Sequence, residues 1–272
     1  MLRGAPQLIA LTRAVSPSIA DCELTHLSRE PIDVERATAQ HRAYEAVLRS
    51  LGATVVQVAP APALPDAVFI EDTAIVLPEI AIITRPGAVV RREEVGPVAA
   101  MLAEFRPLGV LDAPATLDGG DALVVGRTIH VGRSSRTNDA GIKQLGRLVE
   151  TFGYRVVGVD FTECLHLKSA ATCVADGVVL VNPAWVSASV FEGCEAIEVD
   201  ATEPYAANGA RVGDVLMYAD HSPRTRAILE ARGVNVVTVP CDELAKAEGA
   251  VTCCSLLFTI HSESLSTHES IV

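Results

Sequence analysis

DALVVGRTIHVG, residues 121–132, reads as two short apolar runs divided by a turn, the pattern of a β-hairpin. The same reading applies to DTAIVLPEIAIIT (72–84), AATCVADGVVLVNP (170–183) and ANGARVGDVLMYAD (207–220). The units recur about every 40–50 residues, a spacing found in radial repeat architectures, and Asp72 and Asp121 open the first two. A fifth unit can be assembled from CSLLFTI (254–260) and LIALTRAV (8–15), which joins the two ends of the sequence. Such a closure removes exposed sheet edges.

Helical patterns fall between the hairpins. Asp33 is placed to cap a helix running to Gly52, with Ala37, Tyr44, Val47, Leu48 and Leu51 on one face. A second carries Val95, Val98, Leu102 and Phe105 and stops at Gly109. A third carries Ile142, Leu145, Leu148, Val149 and Phe152 and stops at Gly153. A fourth opens on Ser222-Pro223, a cap followed by proline at the first helical position, and ends at Gly233. Hairpin plus helix, repeated around an axis, predicts an α/β propeller. One catalytic domain is expected over residues 1–260, followed by a polar tail at 261–272.

Composition narrows the function. Apolar residues make up 49% of the chain, enough for a sizeable core, and the low aromatic share of 4% suits β-rich layers packed on small helices. A net charge of −12 argues against nucleic acid or an anionic membrane surface as partner. It is compatible with a cationic small molecule, and equally with simple solubility. The opening MLRGAPQLIALTRAV lacks the apolar length of a signal-peptide core, and no stretch approaches the ~20 apolar residues of a membrane span. A cytoplasmic location is expected, where the seven cysteines stay reduced. No C-x-x-C or H-E-x-x-H spacing is present, so no metal site is expected. Most cysteines read as small core residues; the adjacent pair Cys253–Cys254 is the exception to follow.

Three segments carry more polarity than strands and turns require. LPDAVFIEDTAIV places Asp66, Glu71 and Asp72 around the start of an apolar strand, where the plain reading is a turn residue and a solvated strand end. TLDGGDALVVG flanks Gly119-Gly120 with Asp118 and Asp121; a hairpin corner with tight or positive-φ backbone explains the Gly-Gly-Asp, but not Asp118. ECLHLKSAATC sets His166 between two leucines on the approach to a strand, and period-2 alternation turns it to the face opposite both. VTCCSLLFT puts Cys253 and Cys254 at a strand start, where alternation sends the two thiols to opposite faces. A thiol becomes a useful nucleophile when its thiolate is stabilised, commonly by His. Several acids around a thiol would repel the oxyanion of acyl transfer, whereas a guanidinium, with five N–H donors in a fixed fork, suits them.

At these segments the sequence resembles the dimethylarginine dimethylaminohydrolases of the guanidine-modifying (pentein) superfamily. The resemblance rests on LPDAVFIED, ITRPGAVVRREEV, LDGGDALVVGR, GRSSRTN, LHLKS and TCCS, in order, from RAVSPSIADCEL to TCCSLLF. It implies a fivefold pseudosymmetric α/β propeller. Carried over residue by residue, it implies Cys253 as nucleophile, His166 as general acid and base, and Asp118 as the acid beside the histidine. Asp72 and Glu71 match the acidic pair at the substrate, with Asp72 nearest the guanidinium, and Asp66 the acid near the substrate's α-amino group. Arg91 and Arg136 match the arginines that hold the amino-acid end, Leu24 a lid-loop residue, and Ala247 a backbone carbonyl contact.

The implied reaction converts Nω-methylated arginine to citrulline and an amine through a covalent thiouronium on Cys253, with no cofactor. An arginine deiminase, or a hydrolase of another substituted guanidine, would use the same residues. A catalytically idle binding module, or a thiol-based zinc or redox sensor, is the reading from another class. The joint presence of Cys253, His166 and Asp118 speaks against it. Oligomeric state is not legible.

Overall fold

The computed structural model describes residues 6–260. The polar tail expected at 261–272 lies outside the described residues. In chain order, strand β1 (Gln7–Thr12) leads to helix α1 (Val34–Ser50) and strand β2 (Thr54–Gln57). The hairpin β3 (Ala74–Val76) and β4 (Ala81–Ile83) is followed by α2 (Val95–Leu102) and β5 (Leu108–Val110). Then come β6 (Ala122–Val125), β7 (Thr128–Arg133), α3 (Asp139–Val149) and β8 (Arg155–Asp160). The one-turn helix α4 (Leu167–Ala170) precedes β9 (Ala171–Ala175), β10 (Val178–Val181) and β11 (Glu195–Glu198). The last repeat is β12 (Gly209–Val212), β13 (Val215–Ala219), α5 (Pro223–Ala231) and β14 (Asn235–Val239). The short α6 (Asp242–Ala245) and β15 (Leu256–Ile260) complete the described chain.

Each hairpin is part of a separate three-stranded sheet, giving the orders β3-β4-β5, β6-β7-β8, β9-β10-β11, β12-β13-β14 and β15-β1-β2. In every sheet the first pair is antiparallel and the second parallel. Parallel neighbours need a crossover, and α1, α2, α3 and α5 supply it in four of the repeats. The β10–β11 crossover holds only a 3-10 turn, Ala188–Val190. The fifth sheet is the one expected from the two ends of the sequence: Leu11 pairs with Leu256 and Ile9 with Phe258. This is the fivefold pseudosymmetric α/β propeller.

The local signals explain the helices. Asp33 accepts the Arg36 amide at 3.0 Å and caps α1, which buries Ala37, Tyr44 and Leu48. Past its end Gly52 takes φ +88°, a left-handed value that glycine adopts without steric cost. Pro223 opens α5, although the Ser222 side chain makes no cap bond. One helix differs from expectation: α2 ends at Leu102, and Gly109 is the middle residue of β5, beside Ile82. The third strands were not separable in the sequence. Asn235–Val239 and Thr54–Gln57 are half-buried edges without strict alternation, so they blend into the helices before them.

The core lies in packets where the repeats meet. One joins Ile82, Leu117, Ile129 and Leu145; another joins Ile9, Ile83, Leu102 and Phe258. Among the described residues no helix is long and apolar enough to cross a membrane.

Candidate active site

The acids of LPDAVFIED sit on a 3-10 turn, Ile70–Thr73, just before β3. Successive residues of such a turn point about 120° apart, and the two carboxylates accordingly separate. Asp72 binds Arg91 Nη1 at 2.5 Å through Oδ2 and accepts the Gly120 amide at 3.0 Å through Oδ1. Glu71 turns elsewhere: Lys168 Nζ lies 2.6 Å from Oε1, and Thr252 donates its hydroxyl to Oε2 at 2.7 Å. All six of these residues lie in the sequence motifs, yet the Lys168–Glu71 pair has no sequence signal, because it spans 97 positions.

Asp118 is fully buried. It accepts the Gly87 amide at 2.9 Å on Oδ1 and faces His166 Nε2 at 3.2 Å with Oδ2. The two glycines after it do not take positive φ. They are required by close approach: a Cβ on Gly119 would meet the Glu71 carbonyl at 2.0 Å, and one on Gly120 would lie 2.7 Å from His166 Nδ1 and 2.8 Å from Asp72 Oδ1. His166 has extended backbone immediately before α4, so a turn rather than strand alternation aims its ring. Its Nδ1 lies 3.8 Å from Asp72 Oδ1, which places the imidazole between two carboxylates.

Cys253 and Cys254 also occupy a 3-10 turn, Thr252–Cys254, with β15 starting at Leu256. The two thiols still part company, now by helical rotation instead of strand alternation. Cys254 is buried in a core packet with Tyr44 and Ala247, while Cys253 opens onto a cleft and accepts the Ala250 amide at 3.3 Å.

That cleft is narrow and is lined by Cys253, His166, Asp66, Asp72, Arg91, Arg136 and Ala247. Glu23, Phe69, Leu165 and Glu248 complete its wall. Seven of the ten residues singled out in the sequence therefore face one space. Asp118 stands behind His166 and 3.8 Å from Arg136 Nη1. Glu71 lines a different cleft, with Lys168 and Thr252. Leu24 packs on the core packet under α1, and its neighbour Glu23 is the residue that faces the site.

The two arginines differ. Arg91 is committed to the protein, with Nε and Nη2 on Glu94 at 3.1 and 2.9 Å and Nη2 also on the carbonyl of Phe69 at 3.1 Å. Arg136 donates Nη2 to Thr25 Oγ1 at 3.3 Å, and its buried Nη1 has no hydrogen-bond partner among the described residues. Asp66 accepts the Glu23 amide at 3.1 Å. Glu248 was not signalled by any motif. It takes φ +56°, uncommon for a residue with a Cβ, and its carboxylate accepts the amides of Thr25, His26 and Leu27.

Electrostatics follow from this packing. Burial works against a charged His166, but Asp72, the bond to Asp118 and nearby Asp121 outweigh it and lift the imidazole to about 9. Burial would likewise raise Asp72; His166 and Arg91 overcome it and bring the carboxyl down to about 2. Cys253 is pushed well up, by burial first and then by the charges of Glu71 and Asp72. Burial also raises Asp66, against the pull of Arg91 and Arg136. Asp72, Asp118 and His166 each offer one ligand atom within 4.8 Å of the others, a set that could accept a cation. Arg91, the Gly120 and Gly87 amides and the imidazole already occupy those oxygens.

Five such sheets around a cleft shared by a cysteine, a histidine and carboxylates define a pentein-fold protein with a thiol site. A sequence profile described as "N,N dimethylarginine dimethylhydrolase, eukaryotic" matches residues 23–190. The chain is 39% identical over 253 residues to the N(G),N(G)-dimethylarginine dimethylaminohydrolase of Streptomyces coelicolor, covering 92% of this chain and 97% of that one. It is similar to the solved Pseudomonas aeruginosa enzyme of that name, a cysteine-to-serine variant complexed with citrulline. That match has TM-score 0.88 at 31% identity and covers 92% and 98% of the two chains. It is also similar to a histidine-to-glycine dimethylarginine dimethylaminohydrolase captured as an adduct with S-methyl-L-thiocitrulline, with TM-score 0.87 at 31% identity over 92% and 99% of the chains. The chain belongs to the dimethylarginine dimethylaminohydrolase family.

Proposed function

We propose that this protein hydrolyses Nω-methylated arginine to citrulline and methylamine or dimethylamine, with Cys253 as nucleophile. The observation that carries the reading is the convergence of Cys253, His166, Asp72 and Arg136 on one cleft in a chain of this family. Burial first, and then the negative charges of Glu71 and Asp72, hold the thiol protonated. A guanidinium entering the cleft offsets those charges, and the thiol proton passes to solvent. The Sγ electron pair then forms a bond to the guanidinium carbon.

The C–N bond to the methylated nitrogen breaks, and His166, protonated near neutral pH, supplies the proton that lets the amine leave. A thiouronium remains on Cys253. The now neutral imidazole takes a proton from water, whose oxygen adds to the same carbon. The C–S bond breaks and the hydroxyl proton of the adduct passes to solvent, giving citrulline and the thiolate. Asp118 fixes the imidazole through Nε2, and Asp72 offers its carboxylate beside Nδ1 and the substrate cation. Glu71, held by Lys168, acts by charge at longer range. Arg136 Nη1, which has no hydrogen-bond partner among the described residues, suits the substrate carboxylate, while Arg91 serves as the scaffold of Asp72. Asp66, the Ala247 carbonyl and the segment around Leu24 take the α-amino end.

Steady-state kcat/KM for asymmetric dimethylarginine, monomethylarginine and arginine tests the reading, with dimethylamine, methylamine and ammonia measured as products. Methylated substrates are expected to lead. A preference for arginine with release of ammonia would make the protein a deiminase. Inertness toward all three would remove the substrate assignment.

A further inference from the structure

Behind the cleft wall, hydrogen bonds link three segments into a closed circuit. His166 Nε2 faces Asp118 Oδ2 at 3.2 Å, and the Asp118 amide donates to Thr137 Oγ1 at 3.2 Å. The amides of Thr137 and Arg136 donate to Ser134 Oγ at 3.1 and 3.0 Å. Ser134 donates its one hydroxyl proton to Asp121 Oδ2 at 2.6 Å. Asp121 Oδ1 accepts the amide of Leu167, the residue after His166, at 3.0 Å. Asp121 is fully buried and does not line the cleft.

We propose that Asp121 is a positioning residue that fixes His166 and Arg136 relative to each other. The chemistry of the circuit requires a carboxylate there. Ser134 already accepts two amides, so its proton must go to an acceptor, and the Leu167 amide needs one as well. An asparagine has one acceptor oxygen and one NH2 group, and whichever way it turns, a donor meets a donor. The neighbourhood is shaped for this residue too: a Cβ on Gly132 would lie 2.7 Å from Asp121 Oδ1. The carboxylate also adds negative charge near the imidazole, together with Asp72 and Asp118, while Arg91 and Arg136 are the cations tied to those acids and Cys253 shares the cleft.

The inference rests on the role proposed for His166, so its test includes a measurement that needs no substrate. In the ligand-free protein, NMR titration of His166 should show a lower pKa in Asp121→Asn than in the wild type. The same variant should lose roughly 100-fold in kcat, the order expected when a reacting group is misplaced by about 1 Å. Ser134→Ala should lose kcat in the same direction. The double variant should be little worse than either single one, because the circuit is already cut. Additive losses with an unshifted His166 titration would overturn the proposal. If Asp121→Asn does not fold, Ser134→Ala decides: wild-type kcat and unchanged His166 resonances in that variant would overturn it. A wild-type protein inert toward methylated arginines would refute the substrate reading and leave the titration result standing.

Discussion

Arg91 and Asp72 form an ion pair at 2.5 Å with about 4% of either side chain exposed, and Glu94 holds the same guanidinium from the other side at 2.9 Å. Removing the cation strands two buried carboxylates, and breaking such pairs costs about 3–5 kcal/mol. Arg91→Ala is therefore expected to lower the unfolding free energy by that order and to abolish turnover. Denaturant unfolding and steady-state assay check it. A variant of near-wild-type stability would show that Asp72 and Glu94 had protonated or found water instead.

The 3-10 turn at 252–254 separates the two thiols, so Cys253→Ser should end turnover with little change in melting temperature. Cys254→Ser should keep most activity, because its Sγ lies in the core packet. Alkylation of the wild type by iodoacetamide adds a second measurement. With its pKa raised, Cys253 should react slowly at pH 7, and its rate should still climb past the ordinary thiol range near 8.5. An alkylation rate that levels off below that range would contradict the raised pKa of the thiol.

His166 gives a pH dependence of stability. Its folded pKa, about 9, lies above the ordinary value of 6.5. The folded state therefore binds the proton more tightly than the unfolded chain. The stabilisation is fully present below pH 6.5 and is lost as pH rises through 9, amounting to about 3 kcal/mol. Melting curves of wild type and His166→Asn should converge as pH rises across that window. Parallel curves would mean that the imidazole is not held as a cation.

Gly120→Ala places a methyl 2.7 Å from His166 Nδ1 and 2.8 Å from Asp72 Oδ1. The ring and the carboxylate must both move. The expected loss in kcat is roughly 100-fold, with the fold kept, as shown by unchanged far-UV circular dichroism. Wild-type kcat would mean that the contact between Asp72 and the imidazole is dispensable.

Much of this was legible in the chain. The hairpins announced themselves by apolar runs and turns, and the pairing of LIALTRAV with CSLLFTI followed from the need to cover edges. Cys253, His166, Asp66, Asp72, Arg91, Arg136 and Ala247 share a cleft: Asp72, His166 and Cys253 stand just before the first strands of their sheets, and Arg91 and Arg136 follow the second strands of theirs. What failed was local geometry. Gly119-Gly120 read as a corner of tight or positive-φ backbone, and the turn is tight without positive φ. What excludes a side chain is close approach, of the Glu71 carbonyl to Gly119 and of the His166 and Asp72 side chains to Gly120, which is a tertiary fact. His166 and Cys253 were read with strand alternation, although both sit on turns that begin just before a strand. The commitment of Glu71 to Lys168, and of Glu248 to three amides of the 25–27 segment, depends on contacts far apart in sequence.

The pairing of β1 with β15 has a bearing on biogenesis. Leu11 must wait for Leu256 before its antiparallel ladder can form, so the sheet that carries the thiol turn is the most non-local one in the described chain. Contacts of such long loop closure form late. The acids, the histidine and both arginines all precede β15 in the chain, so Cys253 is the last of the cleft residues to be synthesised. In the role proposed for Cys253, its sulfur joins these partners only when the last described strand docks, so completion of the fifth sheet and completion of the site are one event.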